Sequence, residues 1–332
     1  MKVGVALPHY DFSYPDGRPA DLDATVAFAR RAEELGYDSV WMSDHFFLDL
    51  SRYGGPKGRS KSLEAITTLS AIAVETERVR LGTLVLCEAF RHPPVLAKMA
   101  STLDIVSDGR LELGIGAGWY EDEYRAFGFR FPPTAERIER LRETADILGG
   151  MLSSGRFTYE GRYYRVEDAP NDPPPAQRPR PPIWIGGKGG PKVMRIVAEA
   201  ADGWNTVWRW TPEAYAERSR QLDRACDRAG RDPATARRSL GLYTVVGSDE
   251  RDFADRWERT RRTAPIDASE LRREDFERDA LAGSADDCVA RIKEFEALGV
   301  EHVVCSFGLI PFMVSDEEQV ELFARDVLPR VR

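Results

Sequence analysis

The chain has 332 residues, 42% of them hydrophobic and 31% charged, with a net charge of -8; this suits a sizeable core, and one domain spanning residues 1–332 is expected. Basic residues alternate with acidic ones, as in EAYAERSRQLDRACDRAGRD, so no basic face offers itself to nucleic acid. No apolar run approaches the about eighteen residues that a membrane span needs, and MKVGVALP enters a strand with no apolar leader, which predicts a cytoplasmic protein.

A strand over residues 3–7 runs into a proline, and Asp21 then caps a helix. Its apolar positions Leu22, Val26, Ala29, Ala32 and Leu35 recur at helical spacing until Gly36. A strand at 39–42 completes a β-α-β unit, whose short connections demand parallel strands and a right-handed crossover. Helix 63–74, strand 79–84, helix 95–105, strand 111–113 and helix 134–152 continue the alternation. A Pro-rich, aromatic insertion at about 154–182 interrupts it. Strand 183–185, helix 191–200, strand 204–206, helix 212–229 and strand 240–246 come next. A charged insertion at about 248–280 precedes helix 285–298, strand 302–305 and a closing helix near 316–328. Eight strand and helix pairs in strict order predict an α/β fold of the (β/α)8 TIM-barrel type with insertions, over a doubly wound open sheet.

Chemistry in such a barrel belongs at the C-terminal ends of the strands. Asp44 and His45 end the second strand there. A histidine exchanges protons near neutral pH, and an adjacent aspartate orients or charge-stabilises it; the competing reading is a pair bonded only to backbone. The run Gly114-Ile115-Gly116-Ala117-Gly118 follows the fourth strand and lacks an acidic residue at dinucleotide-fold distance, which excludes a Rossmann fingerprint. Its glycines admit either a planar ligand or close strand-to-loop packing. Residues 185–192, IGGKGGPK, leave a strand and open a helix at Pro191. Backbone N–H groups, the helix dipole and Lys188 or Lys192 suit a phosphate, without the Walker spacing of a nucleotide triphosphate site. Trp184 and Trp204 read as core, whereas Trp208 and Trp210 read either as pocket lining or as rim cover. The four cysteines, Cys87, Cys226, Cys288 and Cys305, form no C-x-x-C, and the four histidines show no H-E-x-x-H, so no metal is expected. Cys226, Cys288 and Cys305 read as buried thiols.

The segments SVWMSDHF, RVRLGTLVLCEAFRHPPVLAKMASTLDIVSDGRLELGIGAGWYEDEYRAFG, GRYYRVEDAPNDPPPAQRPRPPIWIGG and ADGWN carry a further signal. With them the chain resembles the luciferase-like monooxygenase superfamily, and within it the oxidoreductases that use the deazaflavin coenzyme F420. The resemblance runs from residue 1 to about 210 and resumes at GSADDCVARIKEFEALGVEHVV. It implies a single (β/α)8 barrel with insertions, a homodimer, and a non-prolyl cis peptide, here Leu84–Val85, against the cofactor ring. It further implies Asp44 and Cys87 beside the ring. Ala117, Gly118 and Asp122 then border the ring and ribityl chain, and Gly189, Gly190, Lys192 and Val193 hold the phosphate. His45 matches the residue that protonates or stabilises the reduced cofactor. One departure stands out: the sugar-phosphate dehydrogenases of the group carry Glu where this chain has Trp119, which leaves sugar oxidation without its proton acceptor.

These readings predict hydride transfer between F420 and a small organic substrate, with His45 and Asp44 handling the proton. Glu88, His92, Glu121 and Asp122 are further acid–base candidates on the same rim. A separate reductase is the expected partner for cofactor reduction. The first alternative is an FMN-dependent two-component monooxygenase using O2, since FMN shares the ring, ribityl chain and phosphate. The second is a barrel that binds flavin or deazaflavin without catalysis.

Overall fold

The computed structural model describes residues 1–332. The first half begins with β1 (Lys2–Ala6), α1 (Leu22–Glu34), β2 (Ser39–Met42), α2 (Ala65–Glu75), β3 (Arg80–Thr83), β4 (Leu86–Cys87) and α3 (Pro93–Val106). It continues with β5 (Leu111–Gly116), α4 (Glu121–Ala126), α5 (Thr134–Ser153), β6 (Arg156–Glu160) and β7 (Arg165–Pro170). Then come β8 (Ile183–Gly186), α6 (Pro191–Ala200), β9 (Gly203–Trp208), α7 (Pro212–Ala229) and β10 (Arg237–Gly247). The chain closes with α8 (Glu250–Thr263), α9 (Arg273–Asp279), β11 (Leu281–Ser284), α10 (Ala285–Ala297), β12 (His302–Ser306), α11 (Glu317–Asp326) and α12 (Leu328–Val331).

Along the sheet the strands run β11-β10-β12-β1-β2-β3-β5-β8-β9, and β9 also pairs with β10. The strands β1, β2, β3, β5, β8, β9, β10 and β12 therefore form the closed parallel ring of a (β/α)8 barrel. Local chemistry explains the helix starts and stops. Asp21 accepts the Ala24 N–H at 3.0 Å as N-cap of α1, and Gly36, at φ 89°, lets the chain turn out of it. Ser284 and Asp287 form a reciprocal capping box on α10.

Besides the short strands β4 and β11, three segments differ from the sequence expectation. Residues 156–170 of the first insertion form an antiparallel hairpin, β6 on β7, because Arg156–Glu160 alternates exposed and half-buried positions in strand fashion. The second insertion forms α8 and α9, whose Phe253, Trp257 and Phe276 are buried; its charge density masked a helical apolar stripe. Between Gly118 and Gly128, α4 forms one short turn too polar to register as a periodic pattern.

The chain packs as two compact units: residues 1–63, 207–219 and 238–332, and residues 64–206 and 220–237. In the first, β1 pairs with β2 and β12, and β12 with β10, burying Val3, Val5, Val40, Trp41, Val303 and Val304 completely. Gly4 faces Ser39 and Trp41 so closely that a Cβ would lie 2.9 Å from the indole nitrogen, which donates to Ser39 Oγ at 2.8 Å. In the second, β5 pairs with β3, β4 and β8, and β8 with β9. There the buried Glu112 carboxylate accepts from Arg80 Nε at 2.5 Å and Trp184 Nε1 at 2.7 Å, which satisfies a charge that burial alone would penalise. No helix is long and apolar enough to cross a membrane. No group of three or more His, Cys, Asp or Glu side chains gathers where a metal would be held. All four cysteines are buried and none forms a disulfide.

Candidate active site

In the first unit, the end of β2 carries Ser43, buried Asp44 and half-buried His45. A residue that the sequence reading missed, His9, holds this strand end. Its Nδ1 lies 2.8 Å from Leu7 O, its Nε2 2.9 Å from Ser43 Oγ, and Tyr10 Oη lies 2.6 Å from the same Ser43 oxygen. A carbonyl only accepts, so Nδ1 carries the ring proton and Nε2 accepts the Ser43 hydroxyl, which leaves Tyr10 to donate to Ser43. The sequence of bonds runs one way and ends at a peptide oxygen. Burial lowers His9 to about 3, against the smaller upward pull of its Leu7 bond, and the charge of His45 adds to the lowering. A neutral, fully bonded His9 fixes Ser43 and with it the start of the Asp44-His45 segment. The signal available in the sequence was a histidine directly beyond the first strand, on the catalytic rim.

In the second unit, the Leu84–Val85 bond is cis, at the position the family resemblance implied. Val85 turns its methyls toward three glycines: a Cβ at Gly114, Gly116 or Gly186 would lie 2.8, 2.7 or 2.6 Å from them. Of the two readings left open for the glycine run, close packing is therefore the one that holds at Gly114 and Gly116. Gly118 is tighter still, at φ 69°, with a Cβ position 2.7 Å from Cys87 Sγ and overlapping the Tyr124 hydroxyl. Tyr124 Oη lies 3.1 Å from Cys87 Sγ and donates weakly to Ala117 O at 3.4 Å. Burial, then Cys87, push this phenol well above its ordinary range, so it stays protonated. Cys87, Ala117 and Gly118 thus form one cluster around Tyr124, whereas Asp122 is exposed in the first turn of α4.

The phosphate-loop candidates lie at the start of α6. Gly189 is buried at φ 78°, and Gly190 is the N-cap, so no side chain caps the first turn and no acidic residue occupies it. Lys192 is exposed and Val193 half-buried beside it. That arrangement leaves the positive end of the helix dipole to an anion. Trp204 Nε1 donates to Gly187 O at 2.8 Å and steadies the loop from beneath. Trp184 and Trp204 are core residues, and Trp210 is buried edge-on against Tyr215, as rim cover. Trp208 is half-buried.

Among the further acid–base candidates, Glu121 is ion-paired with Arg125 at 2.7 Å and His92 is exposed beside Tyr164. Glu88 is different. It is 1% exposed, its Oε2 accepts from Tyr164 Oη at 3.1 Å, and its Oε1 has no partner. Burial raises it to about 7, against the lowering effects of the Tyr164 bond, Arg140 and Arg137. A carboxyl raised on folding contributes stability that is complete below its unfolded value of 4.5 and is lost as pH rises through about 7. Glu88→Gln is expected to be more stable than the parent by about 2 kcal/mol at pH 8, with the difference vanishing by pH 4.5. Urea midpoints at the two pH values check this, and equal midpoints at pH 8 contradict it.

Known proteins resemble the chain over nearly its full length. A profile of the luciferase-like monooxygenase family matches residues 1–302. The F420-dependent glucose-6-phosphate dehydrogenase of Microbacterium testaceum is 33% identical over 327 residues, 92% of each chain. Its counterpart from Amycolatopsis mediterranei is 31% identical, over 100% of this chain and 99% of the relative. The solved structure of an F420-dependent secondary alcohol dehydrogenase superposes over 100% of this chain and 99% of its own, with a TM-score of 0.79 at 19% identity, a likeness of fold. With a family profile covering most of its length and relatives aligned nearly end to end, the chain belongs to the luciferase-like monooxygenase family.

Proposed function

We propose that the protein is an oxidoreductase that transfers a hydride between coenzyme F420 and a small organic substrate. The observation that carries this reading is the near-full-length match to relatives named F420-dependent dehydrogenases. The uncapped, acid-free start of α6 fits the anionic tail of such a cofactor. In the second unit, Gly189, Gly190, Lys192 and Val193 take the phosphate. Leu84, Val85 and Cys87 border the ring, and Ala117, Gly118 and Asp122 the ring edge and ribityl chain. In the first unit, Asp44 and His45 handle the proton that accompanies the hydride, held in register by Ser43 and His9. When bound, the deazaflavin supplies the hydride-accepting or hydride-donating carbon.

The same reading includes a homodimer and a cytoplasmic setting. Exposed Val74, Val95, Ile105 and Val106 on α2 and α3 support the first, and four thiols without a disulfide support the second. The test is titration with F420 and with FMN separately, followed by oxygen uptake of each loaded form. F420 is expected to bind at least about 10-fold tighter, with no oxygen consumption, because a deazaflavin carries carbon at position 5 and does not activate O2. Tighter FMN binding with oxygen uptake turns the protein into a monooxygenase, and F420 binding without turnover over a broad alcohol and carbonyl panel turns it into a carrier.

A further inference from the structure

We infer that the substrate is an uncharged, predominantly apolar alcohol or carbonyl compound, seated against Trp208, the half-buried member of a row of aromatic rings at the strand ends of the first unit. The inference rests on the hydride-transfer reading above. The rings form a continuous row. His9 and Phe312 meet edge to face at 4.8 Å, Phe312 and Trp208 at 5.3 Å, and Trp208 stacks on Tyr243 at 5.5 Å with an interplanar angle of 3°. Trp208 is the last residue of β9, His9 follows β1, and Phe312 follows β12, its N–H donating to Ser306 Oγ at 3.0 Å. Tyr243 stands opposite Ser306, the last residue of β12. Every ring is therefore at the C-terminal ends of the strands, the end where barrels place their chemistry. The row is tied to the catalytic candidate through His9, which bonds Ser43, two residues before His45.

His9, Phe312 and Tyr243 are buried, so the carbon surface that the row presents is that of Trp208. Trp208 packs against the buried cluster that Tyr243 forms with Phe253, Trp257, Phe276 and Leu309. Both His9 nitrogens are committed, to Leu7 and to Ser43. The adjoining cation is committed as well: Arg209 gives Nε to Asp279 at 2.7 Å and Nη2 to the Asp275 carbonyl at 2.8 Å. A phosphate ester brought here would meet the Asp279 carboxylate and have to take Arg209 from it, so the site favours a substrate without charge. In the reaction, the carbinol carbon gives a hydride to the deazaflavin, the hydroxyl gives its proton to a base, and a C=O bond forms; a carbonyl substrate runs the same step in reverse.

The probes are acetophenone and glucose 6-phosphate, titrated calorimetrically onto the purified full-length protein with and without F420, and 1-phenylethanol as the substrate of the F420-loaded enzyme. Acetophenone is expected to bind at least 10-fold tighter than glucose 6-phosphate, and Trp208→Ala to weaken it 10-fold or more while the F420 dissociation constant stays within 3-fold. Trp208→Phe, which keeps an aromatic face, is expected to stay within 3-fold of the parent for both, and it carries the test should the alanine variant fail to fold. The KM for 1-phenylethanol is expected to rise in Trp208→Ala with kcat little changed. Tighter glucose 6-phosphate binding, acetophenone affinity indifferent to Trp208→Ala, or no acetophenone binding each overturns the inference. Failure to bind F420, read from its own titration, overturns the hydride-transfer reading instead.

Discussion

Replacing His45 by alanine is expected to lower turnover by about 100- to 10,000-fold, the range for loss of a positioned general acid or base. The F420 dissociation constant should stay within about 3-fold, because a proton carrier contributes to the transition state and not to ground-state binding. Near pH 7, His9, lowered to about 3 by burial, stays neutral, whereas Glu88, raised to about 7, changes charge. The comparison is therefore repeated in a Glu88→Gln background, where the Glu88 charge does not enter. Stopped-flow measurement of F420 reduction gives both quantities. An unchanged rate removes His45 from the chemistry, and a large loss of cofactor affinity makes it a binding residue.

Gly118→Ala is expected to cost about 2–4 kcal/mol of stability and to weaken F420 binding about 10-fold. Two effects add. At φ 69° an L side chain is strained by about 1 kcal/mol, and the new Cβ lies 2.7 Å from Cys87 Sγ while overlapping the Tyr124 hydroxyl. Both neighbours are buried, so neither moves away without disturbing the core. Adding Tyr124→Phe removes the overlapping oxygen and is expected to restore about 1–2 kcal/mol, leaving the backbone strain in place. Urea unfolding of the parent, both single variants and the double variant separates the two terms. A Gly118→Ala protein with parental stability and cofactor affinity would mean that the cluster around Tyr124 is loose and does not shape the cofactor site.

Local signals read the architecture well. Asp21 and Gly36 bracket α1 because a cap and a left-handed turn involve only a few neighbouring residues. The alternation of strand and helix announced a barrel because each apolar period is written within a dozen residues. The same locality explains the misreadings: charge in residues 248–280 hid α8 and α9, which bury four residues and one residue respectively. The candidate site was legible only in part. The Asp44-His45 pair and the glycines before Pro191 are contiguous motifs, and the structure places them at a strand end and at a helix start.

What makes those motifs a site lies beyond any local window. His9 and Ser43 are 34 residues apart, and Glu88 and Tyr164 are 76 apart, yet each pair shares one hydrogen bond. Val85 fills the space that glycine leaves on two other strands, β5 and β8, so the meaning of the Gly114-to-Gly118 run depends on strand register. By itself the sequence determined the alternation of the barrel's strands and helices, the cap and stop of α1 and the Asp44-His45 pair at a strand end, because propensity and periodicity act between near neighbours. Tertiary structure alone decided which rings touch, which proton each hydrogen bond carries and which carboxyl is left half-partnered. Those outcomes follow from close packing and desolvation among residues that the sheet, not the chain, brings together.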